Sequence, residues 1–449
     1  MLVLKFGGTS LENSQRYKKA ADTVRRLVSY NPLVVVSAMG GVTARIQKAA
    51  EEALRGQSLL NDVLTPQQTV IRELGLRPAD FYDLYEGQRA SLERIATLAA
   101  LTPAALDHAL QWGELISARV LAKLLNKMGT DACDWDAADA GFITDGNHGA
   151  ARPLSESART ARQWWETKGD DTAIVTGFIG RNRDGARTTS GKGGSDLTAA
   201  WYAAHLDARE LQIWTDVSGV MTADPRLVEN ARTIRSLSFG EASEMAFRGA
   251  RVLHPDTLRP VREAGIPVRV LNSFSPADTG TSIVDGAPSP GIRCIASQRD
   301  LLVWRFWEEF GTEKSALRIR SLEIFAEFGL DPIQFSAYES GFAAVTPFNS
   351  DYTKALAQLI RIAPVECYKR RSLISLVGNR IASNASVAAR ALQLLADSQT
   401  VLDLVSSSAT GHSFSIVLPD EQLEDALRTL HVDFFETDLS GDSSSDGTC

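Results

Sequence analysis

The start of the chain alternates short apolar runs with longer amphipathic segments, and this pattern constrains the fold more than any other feature. Residues 2–5 predict a buried strand, residues 13–30 a helix, and residues 33–37 a second buried strand. Because parallel strands need a crossover that is usually helical, the alternation predicts a mostly parallel sheet with helices on both faces. Similar strand-like runs return at residues 173–178, 211–214 and 268–271.

The rest of the chain divides into a helical stretch and a C-terminal part of different character. Residues 47–127 predict helices with a break at Pro103, as a helical insertion or lid over the sheet. Residues 285–293 are rich in proline and glycine and predict a linker. Beyond it, helix and strand patterns recur twice in a similar order, which predicts two copies of a small α+β module. The predicted helices cover residues 316–328, 385–396 and 420–430, and the predicted strands 333–337, 341–346, 372–377, 401–406 and 413–417.

Length, charge and cysteine content exclude several classes of protein. A chain of 449 residues, 44% hydrophobic and 23% charged, fits a globular protein of two to four domains. The formal net charge of -8 argues against a nucleic-acid or anionic-membrane partner, which would require a basic surface. No signal peptide or apolar run of about 20 residues is recognisable, so no membrane association and a cytoplasmic location are expected. The cysteines, at positions 133, 294, 367 and 449, show no CxxC pair and indicate neither a disulfide framework nor a zinc site.

Two glycine-rich segments carry the strongest chemical signals. The first, KFGGTS, places Lys5, Gly7, Gly8 and Ser10 where a buried strand gives way to a loop before a helix. Glycines allow a polyphosphate to approach the backbone, and the start of a helix favours negative charge. A plain strand-to-helix turn is the alternative. The lysine at the strand end favours an anion site, because a buried ammonium without an anion is costly.

The second segment, TTSGKGGSD, contains Lys192, Ser195 and Asp196 and opens a predicted helix over residues 197–205. Its spacing is not that of a Walker A loop. Asp196 could simply cap the helix. A third segment, residues 215–226, follows a strand and is dense in turn-forming residues, so a structural loop is its simplest interpretation. Two cationic glycine loops without a metal-ligand cluster or a nucleophile–base pair favour phosphoryl transfer, which relies on positioning and electrostatic stabilisation.

The chain resembles the aspartokinases of the amino acid kinase family, and the resemblance covers nearly its whole length. The shared motifs are KFGGTS (5–10), SAMGGVT (37–43), WGE (112–114), TGFIG (176–180), GKGGSD (191–196), TDVSGVMTADPR (215–226) and GARVLHP (249–255). The C-terminal repeats resemble the paired ACT domains of that family, the second nested in the first, with Gly378 and Asn379 inside the second. The resemblance implies a three-layer αβα sandwich with a mostly parallel sheet, followed by two α+β ACT-like domains.

The resemblance also implies an activity and a set of roles. The reaction would be ATP-dependent, magnesium-assisted phosphorylation of the L-aspartate side chain to 4-phospho-L-aspartate, the first step toward lysine, threonine and methionine. Lys5 would stabilise the transferring phosphoryl group, and Asp196 would organise the catalytic lysines. The implied substrate-binding residues are Thr43, Glu114, Lys192 and Ser195. The implied nucleotide-binding and phosphate-binding residues are Gly7, Gly8, Ser10, Thr215, Asp216, Met221, Arg226 and Arg251; no protein side chain is assigned to a metal.

Several positions depart from the family pattern. Lys192 stands where aspartokinases usually have arginine, and a lysine cannot form the same bidentate grip on a carboxylate. Met221 replaces a common tyrosine, and Arg251 replaces a lysine. Ile333 aligns with an acidic residue of lysine-sensitive relatives, which predicts weakened or altered feedback by lysine. Two alternatives therefore stay open: a kinase of the same fold for an aspartate-like substrate in a specialised pathway, and a weakly active regulatory paralogue.

The predicted organisation is a kinase domain followed by a regulatory pair. The catalytic domain covers residues 1–283 and a linker covers 284–298. The first ACT-like domain covers residues 299–368 and is completed by the chain near 420–436. The second covers 369–436, and residues 437–449 are expected to be a disordered tail. ACT-like domains suggest an amino-acid effector and, by analogy, a homodimer.

Overall fold

The computed structural model describes residues 1–250, 255–286, 291–308 and 313–437. Contacts divide the chain into two compact units. The first unit comprises Met1–Val220, Thr233–Ser243 and Arg251–Gly286, and the second comprises Met221–Arg232, Glu244–Ala250 and Ala287–Cys449. Two short segments that lie between parts of the first unit in the sequence thus belong to the second unit.

The first unit is built on an eight-stranded sheet. Its strands are β1 (Leu2–Phe6), β2 (Leu33–Val36), β3 (Ala132–Trp135), β4 (Thr172–Thr176), β7 (Glu210–Thr215), β8 (Ser236–Ser238), β9 (Val268–Asn272) and β10 (Thr281–Val284), with a separate hairpin of β5 (Ile179–Arg181) and β6 (Arg187–Thr189). The order is β3-β4-β2-β1-β7-β9-β10-β8, and every neighbouring pair is parallel except β9 with β10. The predicted mostly parallel sheet is confirmed.

Helices cover both faces of this sheet. They are α1 (Ser14–Leu27), α2 (Val42–Ala53), α3 (Leu60–Glu73), α4 (Tyr82–Ile95), α5 (Pro103–Lys127), α6 (Ser157–Thr167), α7 (Gly194–His205), α8 (Phe239–Phe247, of which the residues from Glu244 onward belong to the second unit) and α9 (Pro255–Glu263). α5 packs on β2, β3 and β4, whereas α7 packs on β1, β2 and β7. Burial on both faces explains why β2, and β1 apart from Lys5, are apolar.

The boundaries of the N-terminal helices follow from local chemistry. The Asn13 side chain accepts a hydrogen bond from the Arg16 N–H at 3.1 Å and caps α1. Pro103 occupies the first turn of α5, where its missing N–H costs nothing, and the Thr102 hydroxyl caps the helix. The predicted break at Pro103 is therefore a helix start. α2, α3 and α4 pack with α5 in one helical layer.

The second unit contains a six-stranded antiparallel sheet. Its strands are β11 (Gly291–Trp307), β12 (Gln334–Tyr338), β13 (Gly341–Pro347), β14 (Val365–Asn379), β15 (Leu404–Ser407) and β16 (Ser413–Pro419), in the order β12-β13-β11-β14-β16-β15. Its helices are α10 (Lys314–Glu327), α11 (Tyr352–Leu359), α12 (Ala385–Asp397) and α13 (Leu423–His431). One core joins α10 and α11 to β11 and β13, and another joins α12 and α13 to β14 and β16. The two predicted α+β repeats thus share one sheet through β11 and β14.

The structure differs from the sequence prediction at the expected linker. Residues 291–298 form the first half of β11, where they pair with the C-terminal end of β14. Most of the predicted disordered tail, residues 438–449, lies outside the described residues. None of the helices in the described ranges has an apolar stretch long enough to cross a bilayer.

Candidate active site

The carboxyl ends of β1, β2 and β4 meet glycine loops at one edge of the sheet. A Cβ atom added at Gly8, after β1, would lie 3.1 Å from the Ala38 carbonyl oxygen in the loop after β2. A Cβ atom added at Gly177, after β4, would lie 2.7 Å from the Cβ atom of Ser195 at the start of α7. A side chain at position 177 would force Ser195 to move, and one at position 8 would be tightly confined, so glycine permits both close approaches. In open parallel sheets, ligands bind at such strand ends.

Lys5 and Asp196 form an ion pair at this edge. The Lys5 Nζ atom lies 2.5 Å from Asp196 Oδ1, and both side chains are mostly buried. Asp196 occupies the first turn of α7, which packs against β1. A Cβ atom at Gly7 would lie 3.3 Å from the lysine ammonium. The glycine thus leaves space beside a fixed positive charge, as an anion site requires.

Glu114 supplies a buried acid whose hydrogen bonding is incomplete. It lies on α5 with 2% of its surface exposed, and its Oε1 atom accepts a hydrogen bond from the Ala38 N–H at 3.1 Å. Its Oε2 atom is buried and has no hydrogen-bond partner among the described residues. Burial raises the pKa of Glu114 to about 8, although the bond from Ala38 acts to lower it. A carboxyl group in this state is suited to a cationic ligand.

The second glycine loop is held in a left-handed backbone conformation. Gly191 and Gly193 have φ values of 73° and 76°, and Gly193 is the residue immediately before α7. Ser195 in the first turn is buried. Lys192 is exposed, with no hydrogen bond or ion pair to any part of the chain that the structure describes. Its ammonium is available to a ligand.

Thr43 lies in the first turn of another helix, α2, and is half-buried. Gly41, with a φ of 79°, precedes this helix. The turn belongs to the same loop region as Ala38, the partner of Glu114. The sequence-predicted substrate residues thus come from the starts of α2 and α7 and from α5.

The Ser10 hydroxyl has hydrogen-bond partners within the protein. Its hydroxyl lies 2.8 Å from the Ser273 hydroxyl and 3.2 Å from the Trp214 carbonyl oxygen, with 1% of the residue exposed. Thr215, at the end of β7, donates from its hydroxyl to the Asp216 carboxylate at 3.1 Å, and Asp216 is exposed. These contacts join the ends of β1, β7 and β9, and a phosphate contact by Ser10 stays a prediction.

The remaining predicted nucleotide residues belong to the second unit or are not described. Met221 and Arg226 belong to the second unit. The Arg226 guanidinium pairs with Asp224, with Nε to Oδ1 at 2.9 Å and Nη2 to Oδ2 at 2.5 Å. Arg251 lies outside the described residues. Of the predicted catalytic residues, the structure brings Lys5 and Asp196 into contact, and a nucleotide contact by Met221, Arg226 or Arg251 stays a prediction.

Sequence reasoning missed two features of this site. The Ala38 N–H, which fixes Glu114, carries no side-chain signal at all. Asp107 was not predicted, although it lies seven residues before Glu114 and two helical turns bring both to one side of α5. Two acids at that spacing, among the apolar residues of this helix, would have been a usable signal. Within the described ranges, no group of three or more His, Cys, Asp or Glu side chains could hold a metal ion.

Comparison with known proteins identifies the family. The model of the amino acid kinase family matches residues 1–272, and an ACT domain model matches residues 374–434. Aspartokinase 2, chloroplastic, of Arabidopsis thaliana is 32% identical, with 97% of this chain and 84% of the relative covered. The chain belongs to the aspartokinases of the amino acid kinase family. Lysine-sensitive aspartokinase 3 of Escherichia coli is 29% identical, with 97% and 99% covered.

Solved aspartokinase structures share the fold. E. coli aspartokinase III in complex with aspartate and ADP, in its R-state, superposes with a TM-score of 0.84 at 27% identity and covers 97% of this chain and 100% of that one. The T-state complex of the same enzyme with lysine and aspartate gives 0.81 at 28% identity, with the same coverage. The fold class that the sequence predicted for this chain, an aspartokinase fold, is thus confirmed.

Proposed function

We propose that this aspartokinase transfers the γ-phosphoryl group of ATP to the side-chain carboxylate of L-aspartate, giving 4-phospho-L-aspartate and ADP. The observation that carries the proposal is the Lys5–Asp196 ion pair, fixed at 2.5 Å between two glycine loops at the edge of a parallel sheet. The E. coli structure that is similar over 97% of the chain was solved with aspartate and ADP. The reaction is the first step toward lysine, threonine and methionine.

Lys5 is the proposed electrostatic catalyst. Its ammonium stands beside Gly7, where it can meet the oxygens of a transferring phosphoryl group. Asp196 keeps that ammonium in place, and its position in the first turn of α7 ties the lysine to the start of a helix. In a loose phosphoryl-transfer transition state, such a fixed positive charge stabilises the charge that spreads over the equatorial oxygens.

Glu114 is the proposed partner of the substrate ammonium. Its free Oε2 atom is the acceptor, and Ala38 orients the carboxyl group through the other oxygen. Thr43, Ser195 and Lys192 are proposed to bind the two substrate carboxylates. Lys192 is exposed and forms no ion pair within the described part of the chain, so its charge is not used elsewhere.

The nucleotide is proposed to lie against the other glycine loop. Gly7, Gly8 and Ser10 would approach the phosphates through their backbone, and the side chains of Thr215, Asp216, Met221, Arg226 and Arg251 are proposed to line the rest of the site. Mg²⁺ is proposed to enter with the ATP phosphates. It characteristically takes substrate phosphates and water as ligands and needs few protein carboxylates, which fits a site without an acidic cluster among the described residues.

The organisation and setting of the protein are proposed on the same basis. The catalytic domain is assigned to residues 1–283, with nested ACT-like domains at 299–368 and 369–436. An amino-acid effector is proposed to bind these ACT-like domains, since the related E. coli structure was solved with lysine. A homodimer and a cytoplasmic location are also proposed.

A hydroxylamine trap tests the proposed activity. With ATP, Mg²⁺ and L-aspartate, an acyl phosphate product reacts with hydroxylamine to give a coloured hydroxamate. Product with L-aspartate in preference to other amino acids is expected. Product only with another dicarboxylic amino acid would support the kinase of a specialised pathway, and no product with any amino acid would support the regulatory paralogue.

A further inference from the structure

Asp107 is a buried acid next to the substrate site that the proposed reaction does not use. It lies on α5, two turns before Glu114, and only 2% of its surface is exposed. Buried carboxylates are costly unless they are paired or hydrogen-bonded, so the partners of Asp107 indicate what it does.

All four hydrogen bonds of Asp107 go to two short segments. Its Oδ2 atom accepts from the Thr189 N–H at 3.1 Å, the Gly149 N–H at 3.1 Å and His148 Nδ1 at 2.8 Å. Its Oδ1 atom accepts from the Thr189 hydroxyl at 2.6 Å. Hydrogen bonds to an ionised carboxylate are roughly twice as strong as bonds between neutral groups. Asp107 therefore ties residues 148–149 and the end of β6 to α5.

These segments hold the loop that carries Lys192. Thr189 is the last residue of β6, and Gly191 follows two residues later. Gly191 also packs on the Gly149 segment, because a Cβ atom added to it would lie 2.7 Å from the Gly149 carbonyl oxygen. Asp107 thus fixes the loop both where it leaves the strand and where it rests on its neighbour. The far end of the loop is fixed by α7.

We propose that Asp107 is a positioning residue. It holds the glycine loop at residues 190–193, and through it Lys192 and Ser195, at the distance from Glu114 that the amino-acid substrate requires. The proposal rests on the proposed function. Both acids extend from one rigid helix: Glu114 fixes the loop after β2 through Ala38, and Asp107 fixes the loop after β6. The distance between the two halves of the substrate site is then set by α5.

Two substitutions of Asp107 separate positioning from charge. Asp107→Ala removes all four acceptor contacts. Asp107→Asn can keep them, because the amide oxygen can replace Oδ2 while the amide nitrogen donates to the Thr189 hydroxyl, which can also accept. Thr189→Val removes only the hydroxyl bond. Asp403→Asn is the matched control: its mostly buried carboxylate pairs with Arg371, with Nε to Oδ2 at 2.5 Å, and it belongs to the second unit, not to the one that carries the glycine loop.

The experiment measures KM for L-aspartate and for ATP separately in the full-length variants. Asp107→Ala is expected to raise the aspartate KM by about tenfold or more, with the ATP KM changed by less than about threefold, because a loop displaced by about 1 Å misplaces one substrate. Asp107→Asn is expected to keep an aspartate KM close to that of the wild type, and Asp403→Asn to leave both constants within about twofold. An unchanged aspartate KM in a folded Asp107→Ala protein would overturn the proposal, as would a parallel rise of both constants.

Hydrogen exchange on the ligand-free proteins provides a readout that does not depend on catalysis. Backbone amides of residues 190–193 are expected to exchange faster in Asp107→Ala than in the wild type or in Asp403→Asn. If the wild type made no product from L-aspartate, the proposed function would fail, and this exchange result would still decide whether Asp107 holds the loop. If Asp107→Ala failed to fold, Thr189→Val, which removes the hydroxyl bond to Asp107, would carry both measurements. A raised aspartate KM and faster exchange at residues 190–193 are expected in that variant, and wild-type values of both would refute the role.

Discussion

Replacing Glu114 by glutamine is expected to weaken L-aspartate binding and to remove its pH dependence below pH 8. The carboxyl group is buried, and one oxygen accepts from Ala38 while the other has no hydrogen-bond partner in the described part of the chain. Glutamine keeps the shape and the acceptor for Ala38. It cannot supply the negative charge that the substrate ammonium needs.

The magnitude follows from the pKa of about 8. At pH 7 only about one tenth of Glu114 is ionised in the free protein, and each pH unit below 7 lowers this ionised fraction about tenfold. The aspartate KM of the wild type should therefore fall about tenfold between pH 6 and pH 7 and level off above pH 8. Loss of a buried charge pair costs about 2–5 kcal/mol, so Glu114→Gln should raise the KM by about thirtyfold or more at pH 8.5.

Steady-state kinetics with varied L-aspartate at pH 6.0, 7.0, 8.0 and 8.5 check this prediction, with Glu241→Gln as the control. Glu241 is also buried, its carboxylate accepts from the Ser238 N–H and hydroxyl, and the proposed reaction assigns it no role. The control should keep the wild-type pH profile. If the aspartate KM of the wild type did not change with pH, or if that of Glu114→Gln still fell as pH rises, Glu114 would not be the partner of the substrate ammonium.

The same group makes stability depend on pH in the absence of substrate. Because the folded state holds the Glu114 proton up to about pH 8 and the unfolded state releases it near 4.5, the folded state binds more protons in that window, and stability falls as pH rises through it. At about 1.36 kcal/mol per pKa unit, the full change in the free energy of unfolding across this pH window approaches about 5 kcal/mol. Urea unfolding gives the free energy of unfolding at pH 6 and at pH 8.5, and its fall between these two pH values should be smaller in Glu114→Gln than in the wild type. An equal fall in both proteins would contradict the raised pKa.

Three further predictions concern catalysis and regulation. Lys5→Met should lower kcat by about a hundredfold or more, because a fixed charge at the phosphoryl group is lost; a fall of less than about threefold in a folded protein would argue against its role. Lys192→Arg should lower the aspartate KM severalfold through a bidentate contact, and a rise would indicate that the site is shaped for lysine. Lysine should inhibit the wild type only weakly, and Ile333→Glu should increase the inhibition by supplying an acidic partner; strong inhibition of the wild type at micromolar lysine would contradict this reasoning.

Local pattern predicted most of the first unit because its strands and helices are determined by nearby residues. The apolar run of β1, the Asn13 cap and the start of α5 at Pro103 each have a cause within a few positions. β11 was harder to predict. Its first half follows turn-forming residues and resembles a linker, and it becomes a strand because it pairs with β14, roughly 85 residues later.

The site was predictable where residue type was sufficient and not where distant contacts decide. Lys5 and Asp196 lie in glycine-rich motifs that point to phosphate chemistry, but only the fold brings their side chains to 2.5 Å. The raised pKa of Glu114 depends on burial, which sequence spacing does not reveal. Asp107 was missed because two of its hydrogen bonds come from backbone N–H groups, which nearly every residue type provides. Its side-chain partners, His148 and Thr189, are distant in the sequence.

The position of the transferred phosphoryl group tests the central claim most directly. The enzyme is incubated with ATP, Mg²⁺ and L-aspartate, and the acyl phosphate formed is reduced with borohydride to an alcohol that mass spectrometry and chromatography identify. The account predicts homoserine, which arises from 4-phospho-L-aspartate. Recovery of 3-amino-4-hydroxybutanoate, which arises from phosphorylation of the α-carboxylate, or of neither alcohol while ADP is released, would contradict it.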